Sequence, residues 1–340
     1  MRLFSVLLHL PDQPRFIGVP EVQRARAADH FRHSAPPLLW GEISDLPPVT
    51  AVHPQYHRPA LRHPCREVAT LELTKPGSVH QQPSTQPPLR VYVCGRPAIE
   101  TCSVVVRESD LPGRQGRRLW AYLILHRRGP VGRDELAEAI WGDDIPDAWD
   151  TTLNALASRL RRALAPLTET APALAVRGEP GRYALVLPTG SFVDWERARD
   201  AIHEADRLVF GGDPARALAE ARVAMEIAAR GFLPGDEAPW IEGQRQALRE
   251  IRLRACERTV EAELMRGRPD IAETEARQLL ALDPLREASY RWLMRALAAG
   301  GNAAQAAAIF AVCRRELRER AGMTPCAETE RVFREIAGRG

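Results

Sequence analysis

The stretch from Leu153 to Tyr183 constrains this chain more than any other. Leu153, Leu156, Leu160 and Leu164 fall at i, i+3, i+7 and i+11, which in a helix makes one continuous stripe that can be buried. Asn154, Ser158, Arg161 and Arg162 turn away from that stripe, with Arg159 on its flank. A short loop later, Ala175-Val176-Arg177-Gly178-Glu179-Pro180-Gly181-Arg182-Tyr183 reads as strand, Gly-Pro turn, strand, with an arginine on either side of the turn. The leucines demand a core, and the surface opposite them is left polar and basic.

At 340 residues the chain has room for two or three domains, each with its own core. A net charge of +3 is nearly neutral, so any contact with nucleic acid must come from a local patch. The six cysteines (Cys65, Cys94, Cys102, Cys256, Cys313, Cys326) show no CxxC pair and no metal spacing, which suits reduced thiols in a cytoplasm. The apolar run within Met1–Leu10 is too short to span a bilayer, and no small-residue cleavage site follows it. The expectation is a cytoplasmic protein with no membrane partner. Lys75 is the only lysine, in keeping with codon bias in a GC-rich genome. It sits in Thr-Lys-Pro rather than Gly-Lys-Ser/Thr, so no phosphate-binding P-loop fits.

Residues 1–88 hold 14 of the 28 prolines and seven of the nine histidines, with little periodicity. Proline at that density interrupts helices and sheet ladders alike, so this segment is expected to be irregular or disordered. His53, His57, His63 and Cys65 form its only metal-like cluster. A compositionally biased segment with chance neighbours explains them better than a site of fixed geometry. From Leu89 the pattern becomes regular. Leu89 to Val93 alternates as a strand, Gly95-Arg96-Pro97 turns, and Thr101 to Val106 is β-branched again. Arg114 to His126 reads as a helix with Leu119, Trp120, Leu123 and Ile124 on one stripe, ended by Gly129-Pro130. Arg133 to Trp141 makes a second helix, with Leu136, Ala137, Ile140 and Trp141 inward and Asp134 and Glu135 favouring its dipole. The arginine-rich helix then begins near Asp150 or Thr151, either of which can cap it. Strands, three helices and a hairpin follow winged-helix order, in which the third helix fills a major groove and the hairpin touches adjacent phosphate or minor groove.

After Asp194 the pattern is almost entirely helical and repeats. Gly267 and Gly301 lie 34 residues apart, the period of a tetratricopeptide repeat. Five residues beyond them come Ala272 and Ala306, and Ala217 stands at the same offset from Gly212. Small residues there let paired helices approach closely. A longer helix, Pro239 to about Arg266, carries Ile241, Leu248, Ala255 and Ala262 at heptad spacing. The fold class that follows is mainly α. A winged helix-turn-helix (α+β) over residues 89–190 precedes an all-α, tetratricopeptide-like repeat domain over 191–340, with the irregular segment 1–88 in front.

From Leu89 to Ile336 the chain resembles the antibiotic-regulatory-protein (SARP) type of bacterial activator, which joins an OmpR-like winged helix to a bacterial transcriptional activation domain. The blocks that carry the resemblance in the first half are Leu111-Pro-Gly-Arg-Gln-Gly-Arg117, Val131-Gly-Arg-Asp-Glu-Leu136, Ala139-Ile-Trp-Gly142, Ser158-Arg-Leu-Arg-Arg-Ala-Leu164 and Pro180-Gly-Arg-Tyr183. In the second half they are Glu237-Ala-Pro-Trp240, Asp283-Pro-Leu-Arg-Glu287 and Ala321-Gly-Met-Thr-Pro325. Gly132 departs from the capping Ser or Thr that the family often has, and Arg182 is inserted in a turn that usually runs Pro-Gly-Tyr. The resemblance implies a DNA-binding transcriptional activator, with promoter direct repeats bound head-to-tail, RNA polymerase holoenzyme as partner and self-association on DNA.

An arginine run on a helix is ordinarily a solvated face; the hairpin beside it and the blocks above shift the reading toward double-stranded promoter DNA. Between residues 90 and 187 there are 14 arginines and 12 acidic residues, a balance of 14 − 12 = +2, so distribution matters more than average charge. Asn154, Ser158 and Arg162 are assigned the major-groove role, with Thr151 and Ala155 on the same face. Arg159, Arg161, Arg177 and Arg182 complete the basic cluster, and Arg114, Arg117 and Arg133 stand near helix starts where phosphate often binds. There is no Gly-x-Ser-x-Gly elbow, no HExxH (His203-Glu204 lacks the second histidine) and no dinucleotide glycine fingerprint. No enzyme activity, cofactor or metal is expected. The competing reading is a protein-interaction scaffold whose winged helix does not bind DNA.

Overall fold

A computed structural model describes residues 89–338. The expectations for residues 1–88, including the His53/His57/His63/Cys65 cluster, lie outside the described residues. Within them the chain opens with β1 (Arg90–Tyr92), β2 (Ala98–Glu100) and β3 (Val105–Arg107). The first four residues of the second β-branched run therefore make the turn between β2 and β3, closed by the Thr101 amide on the Val104 carbonyl at 2.9 Å, and only its end is strand. Three helices follow: α1 (Gly113–Leu125), α2 (Arg133–Trp141) and α3 (Trp149–Thr168), with the two-residue strand β4 (Val131–Gly132) between the first two. The hairpin β5 (Ala175–Glu179) and β6 (Arg182–Val186) comes next, then β7 (Phe192–Val193). Two sheets result: β3-β2-β1-β7, with β7 parallel to β1, and the antiparallel β4-β6-β5. This is a winged helix. Leu119, Trp120, Leu123, Ile124, Leu136, Ile140, Leu153, Leu156, Leu160 and Leu164 meet in one core with Tyr183 and Leu185 of the hairpin.

Helix α3 starts earlier than its sequence suggests. Its first residue is Trp149, and Ala148 occupies the cap position without a side-chain bond. Neither Asp150 nor Thr151 caps it. Trp149 lies four residues before Leu153 on the same stripe and packs against the core, so burial draws the start of the helix back past both expected caps.

The remaining helices are α4 (Asp194–Phe210), α5 (Pro214–Ala228), α6 (Pro239–Met265), α7 (Pro269–Leu282), α8 (Glu287–Ala299), α9 (Ala303–Ala321) and α10 (Ala327–Ala337). The first six form three antiparallel pairs, with α10 following, and the glycines noted above end the first helix of each pair. Gly212, Gly267 and Gly301 have φ of +77°, +70° and +80°. The amide after each returns to the helix: Asp213 to Leu208 at 2.9 Å, Arg268 to Glu263 at 2.9 Å, Asn302 to Leu297 at 2.8 Å. That six-residue closure requires a left-handed residue, which glycine adopts without a Cβ clash. Ala217, Ala272 and Ala306 are all fully buried where the paired helices touch. Among the described residues no helix is long and apolar enough to cross a membrane.

The two halves share one joint. Its centre is the loop Gly231–Ala238 between α5 and α6. Arg118 of α1 donates from Nε to Asp236 Oδ1 at 2.8 Å and from Nη1 to the Ile140 carbonyl at 2.7 Å, and it also bonds the Glu237 carbonyl. Arg114 reaches the same Asp236 oxygen at 2.9 Å. Trp240 donates its indole N–H to the Ala139 carbonyl at 2.9 Å and stands edge-on to Tyr122, with centroids 5.1 Å apart. From the other side, buried Asp194 accepts the Val93 and Cys94 amides at 2.9 and 3.0 Å. Leu233, buried with φ of +40°, takes a conformation unfavourable for a side chain; Arg245 holds it by donating to the Phe232 and Leu233 carbonyls at 3.0 and 2.8 Å.

Burial raises the affinity of the Asp236 carboxyl for a proton, and the hydrogen bonds and charges of Arg114 and Arg118 outweigh it, leaving its pKa below the ordinary value. A carboxyl depressed in the folded state stabilises fully above its unfolded pKa of about 4, and the contribution is lost as pH falls through the folded value. Asp236→Ala is expected to lower stability by about 3–5 kcal/mol at neutral pH, since it strands a buried guanidinium. In urea titrations the gap between wild type and variant should close below pH about 4; a gap independent of pH would show that packing alone holds the joint.

Candidate nucleic-acid interface

Helix α3 and the β5–β6 hairpin lie side by side, and one cluster fixes them. The hairpin turns through Pro180-Gly181, with Glu179 opposite Arg182; proline supplies a fixed negative φ, and Gly181 supplies the positive φ of +72° that a type II turn needs. Alternation along β6 then puts Tyr183 inward and Arg182 outward. The Tyr183 hydroxyl donates to Asn154 Oδ1 of α3 at 2.7 Å. Arg133, the first residue of α2, donates to the same oxygen at 3.0 Å, to Asp150 Oδ1 at 2.8 Å and to the Asp150 carbonyl at 3.1 Å. Its guanidinium also lies over the Tyr183 ring, 5.4 Å from the centroid. Burial works against its charge, and the bonds to Asp150 and Tyr183 outweigh that, so its pKa is raised. Arg133 therefore braces α2, α3 and the hairpin together.

Asn154 is oriented by this cluster. Arginine offers only donors, so the amide atom facing Arg133 must be the carbonyl oxygen. The outward atom is the amide nitrogen. Bidentate reading of adenine needs the oxygen and nitrogen together; here only the donor is on offer. Arg161 is likewise turned toward the hairpin, its Nε on the Val176 carbonyl at 2.8 Å and its guanidinium 5.9 Å from the Tyr183 centroid. It passes so near Gly178 that a Cβ there would lie 3.3 Å from its Nη2.

The remaining sequence-predicted residues divide cleanly. Thr151, Ser158, Arg159 and Arg162 are exposed on the outer side of α3, with Ala155 among them, and Arg177 and Arg182 are exposed on the hairpin. Those four arginines have no carboxylate within ion-pair distance among the described residues. Arg114 is committed to Asp236 across the joint, and Arg117 pairs with Glu108 at 3.5 Å. The structure thus brings Arg133 into the cluster as a brace and places Arg114 and Arg117 in other contacts. Tyr183 and Asp150 were not among the site residues expected from the sequence. The signal for Tyr183 was the alternation of β6, which points a hydroxyl into a core where it must find a partner.

Set beside known proteins, this arrangement has clear relatives. Residues 111–179 match the family described as Transcriptional regulatory protein, C terminal, and residues 193–337 match the Bacterial transcriptional activator domain. The chain is 33% identical over 213 residues to Regulatory protein AfsR of Streptomyces coelicolor, covering 62% of this chain and 20% of that protein. To Regulatory protein AfsR of Streptomyces griseus it is 31% identical over 222 residues, covering 65% of this chain and 22% of the relative. Mycobacterium tuberculosis EmbR, solved in complex with a low-affinity phosphopeptide, shares the fold at a TM-score of 0.64 and 21% identity, over 75% of this chain and 66% of that one. Joined in this order, the two matched domains are those of SARP-type transcriptional regulators, to which the chain is similar; it spans about a fifth of the length of the AfsR relatives.

Two substitutions separate packing from positioning. Leu160→Ala should cost about 2–5 kcal/mol through a core cavity. Tyr183→Phe keeps the ring and removes one hydrogen bond, so urea unfolding should register only about 0.5–1.5 kcal/mol. A Tyr183→Phe protein as stable as wild type would show that the Asn154 bond does not form.

Proposed function

We propose that this regulator binds promoter DNA sequence-specifically through α3 and the hairpin. The observation that carries the reading is charge. From Thr151 to Thr168 the helix holds three arginines and not one carboxylate, and the acidic residues Asp143, Asp144, Asp147 and Asp150 all precede Thr151. Exposed guanidinium groups without partners, beside a hairpin that adds two more, are what a phosphate backbone neutralises. In this reading Thr151, Ser158 and Arg162 face base edges, with Asn154 donating from the flank. Arg159 meets phosphate, and Arg177 and Arg182 meet phosphate or a narrow minor groove. Promoter direct repeats bound head-to-tail, with the helical pairs mediating self-association, contact with RNA polymerase holoenzyme, or both, complete the activator role.

Binding isotherms on operator and random duplexes test this. Arg162→Ala should weaken specific binding by about 1–3 kcal/mol and spare random DNA. Arg182→Ala should weaken both and reduce the slope of log K against log salt by about one. Equal losses on the two duplexes in Arg162→Ala would move that residue to the phosphate group, and unchanged binding in both variants would overturn the interface.

A further inference from the structure

A cavity of about 240 Å³ lies where the end of α1 meets the starts of α4 and α6. Its charged and polar wall is made by His126, Arg128, Trp195, Glu196, Arg199 and Gln244. Glu196, the only carboxylate there, is already taken: Arg127 Nε donates to its Oε1 at 3.0 Å within an ion pair. Arg128 has no carboxylate partner among the described residues. Arg199 lies over the Trp195 ring, 5.7 Å from the centroid, and reaches only its neighbour Asp200, at 3.5 Å. The Trp195 indole N–H is buried and has no acceptor. With its carboxylate neutralised, the wall keeps an excess of positive charge, and Trp195, one of its lining residues, carries an unsatisfied donor.

We propose that this seam cavity binds a compact oxyanion, the phosphate or carboxylate group of a small metabolite. An anion satisfies what the protein leaves open, namely the guanidinium groups of Arg128 and Arg199 and the indole N–H, through charge-assisted bonds. The volume equals that of roughly eight waters, enough for such a group and below the usual range for drug-sized ligands. The walls come from both halves of the molecule, α1 from the winged helix and α4 and α6 from the helical pairs. A ligand held between them therefore stabilises their present relation. Binding stands independently of the DNA reading; any effect on operator affinity rests on that reading and is measured separately.

The test is calorimetry and thermal unfolding of the full chain with inorganic phosphate and, in a second arm, succinate, at constant ionic strength. Melting temperature should rise with anion concentration. Arg128→Glu and Arg199→Glu should each lower affinity at least tenfold. Trp195→Phe, which keeps the ring and removes the N–H, should lower it several-fold, and Arg334→Glu, an equal charge change on exposed α10, should leave it unaltered. A response to one anion alone upholds the site and assigns its chemistry. No response to either, or the same loss in Arg334→Glu as in Arg128→Glu, overturns it. Failure of both anions together with weaker random-duplex binding by Arg128→Glu would make Arg128 a DNA contact instead. Anion binding that leaves operator affinity unchanged upholds the site and overturns its link to DNA.

Discussion

The joint between the two halves is centred on a buried charge, Asp236, and on the two arginines that α1 directs at it. An isolated carboxylate could not remain charged at 1% exposure; paired with Arg118 and Arg114, it stays ionised and serves as the anchor of a joint. Arg118 also ties the end of α2 to the loop by bonding the Ile140 and Glu237 carbonyls, so one side chain holds three segments. Apolar packing by Phe232, Trp240 and Tyr122 adds area around that charge, but area alone is not directional. The ion pair and its carbonyl partners fix the angle.

The helical half was legible in the sequence because its rule is local. A glycine that must be left-handed, followed five residues later by an alanine that must be small, is written in consecutive residues, and all three copies behave alike. The leucine stripe of α3 was legible for the same reason. What escaped the sequence is long-range. Nothing near Asp236 in the chain announces Arg118, 118 residues away, and nothing near Tyr183 announces Asn154, 29 residues away. The start of α3 escapes the sequence because capping preference favours Asp150 or Thr151, whereas Trp149 is drawn into the helix by burial in a core that only the folded chain assembles.

Arginine does two jobs in this molecule, and its partners tell them apart. With a single lysine in the chain, arginine supplies both structural and exposed charge, so residue type alone cannot sort them. Arg118, Arg133 and Arg245 spend their donors on carboxylates and backbone carbonyls of the fold, the role to which a planar five-donor group is suited. Among the described residues Arg159, Arg162, Arg177 and Arg182 spend none on carboxylates. Sequence patterning grouped Arg114, Arg117, Arg133 and Arg161 with the second set because a helix start or a polar face looks the same from the sequence whether its charge is satisfied or not.

The brace around Arg133 carries this distinction into the proposed DNA face. Arg133 neutralises Asp150, the last carboxylate before α3 turns wholly basic, and in doing so removes a like-charge penalty that a phosphate would otherwise meet there. The same guanidinium turns the Asn154 oxygen inward, and Tyr183 brings the hairpin up against that oxygen. From Thr151 onward the outward face of α3 is thereby left presenting donors: the Asn154 amide nitrogen, the serine and threonine hydroxyls in their donating sense, and the arginines without a carboxylate partner. A surface preset to donate need not rearrange to meet an acceptor-rich groove and backbone, and a preorganised surface loses less entropy on binding. What the brace contributes to recognition is therefore orientation, supplied by residues that themselves point into the fold.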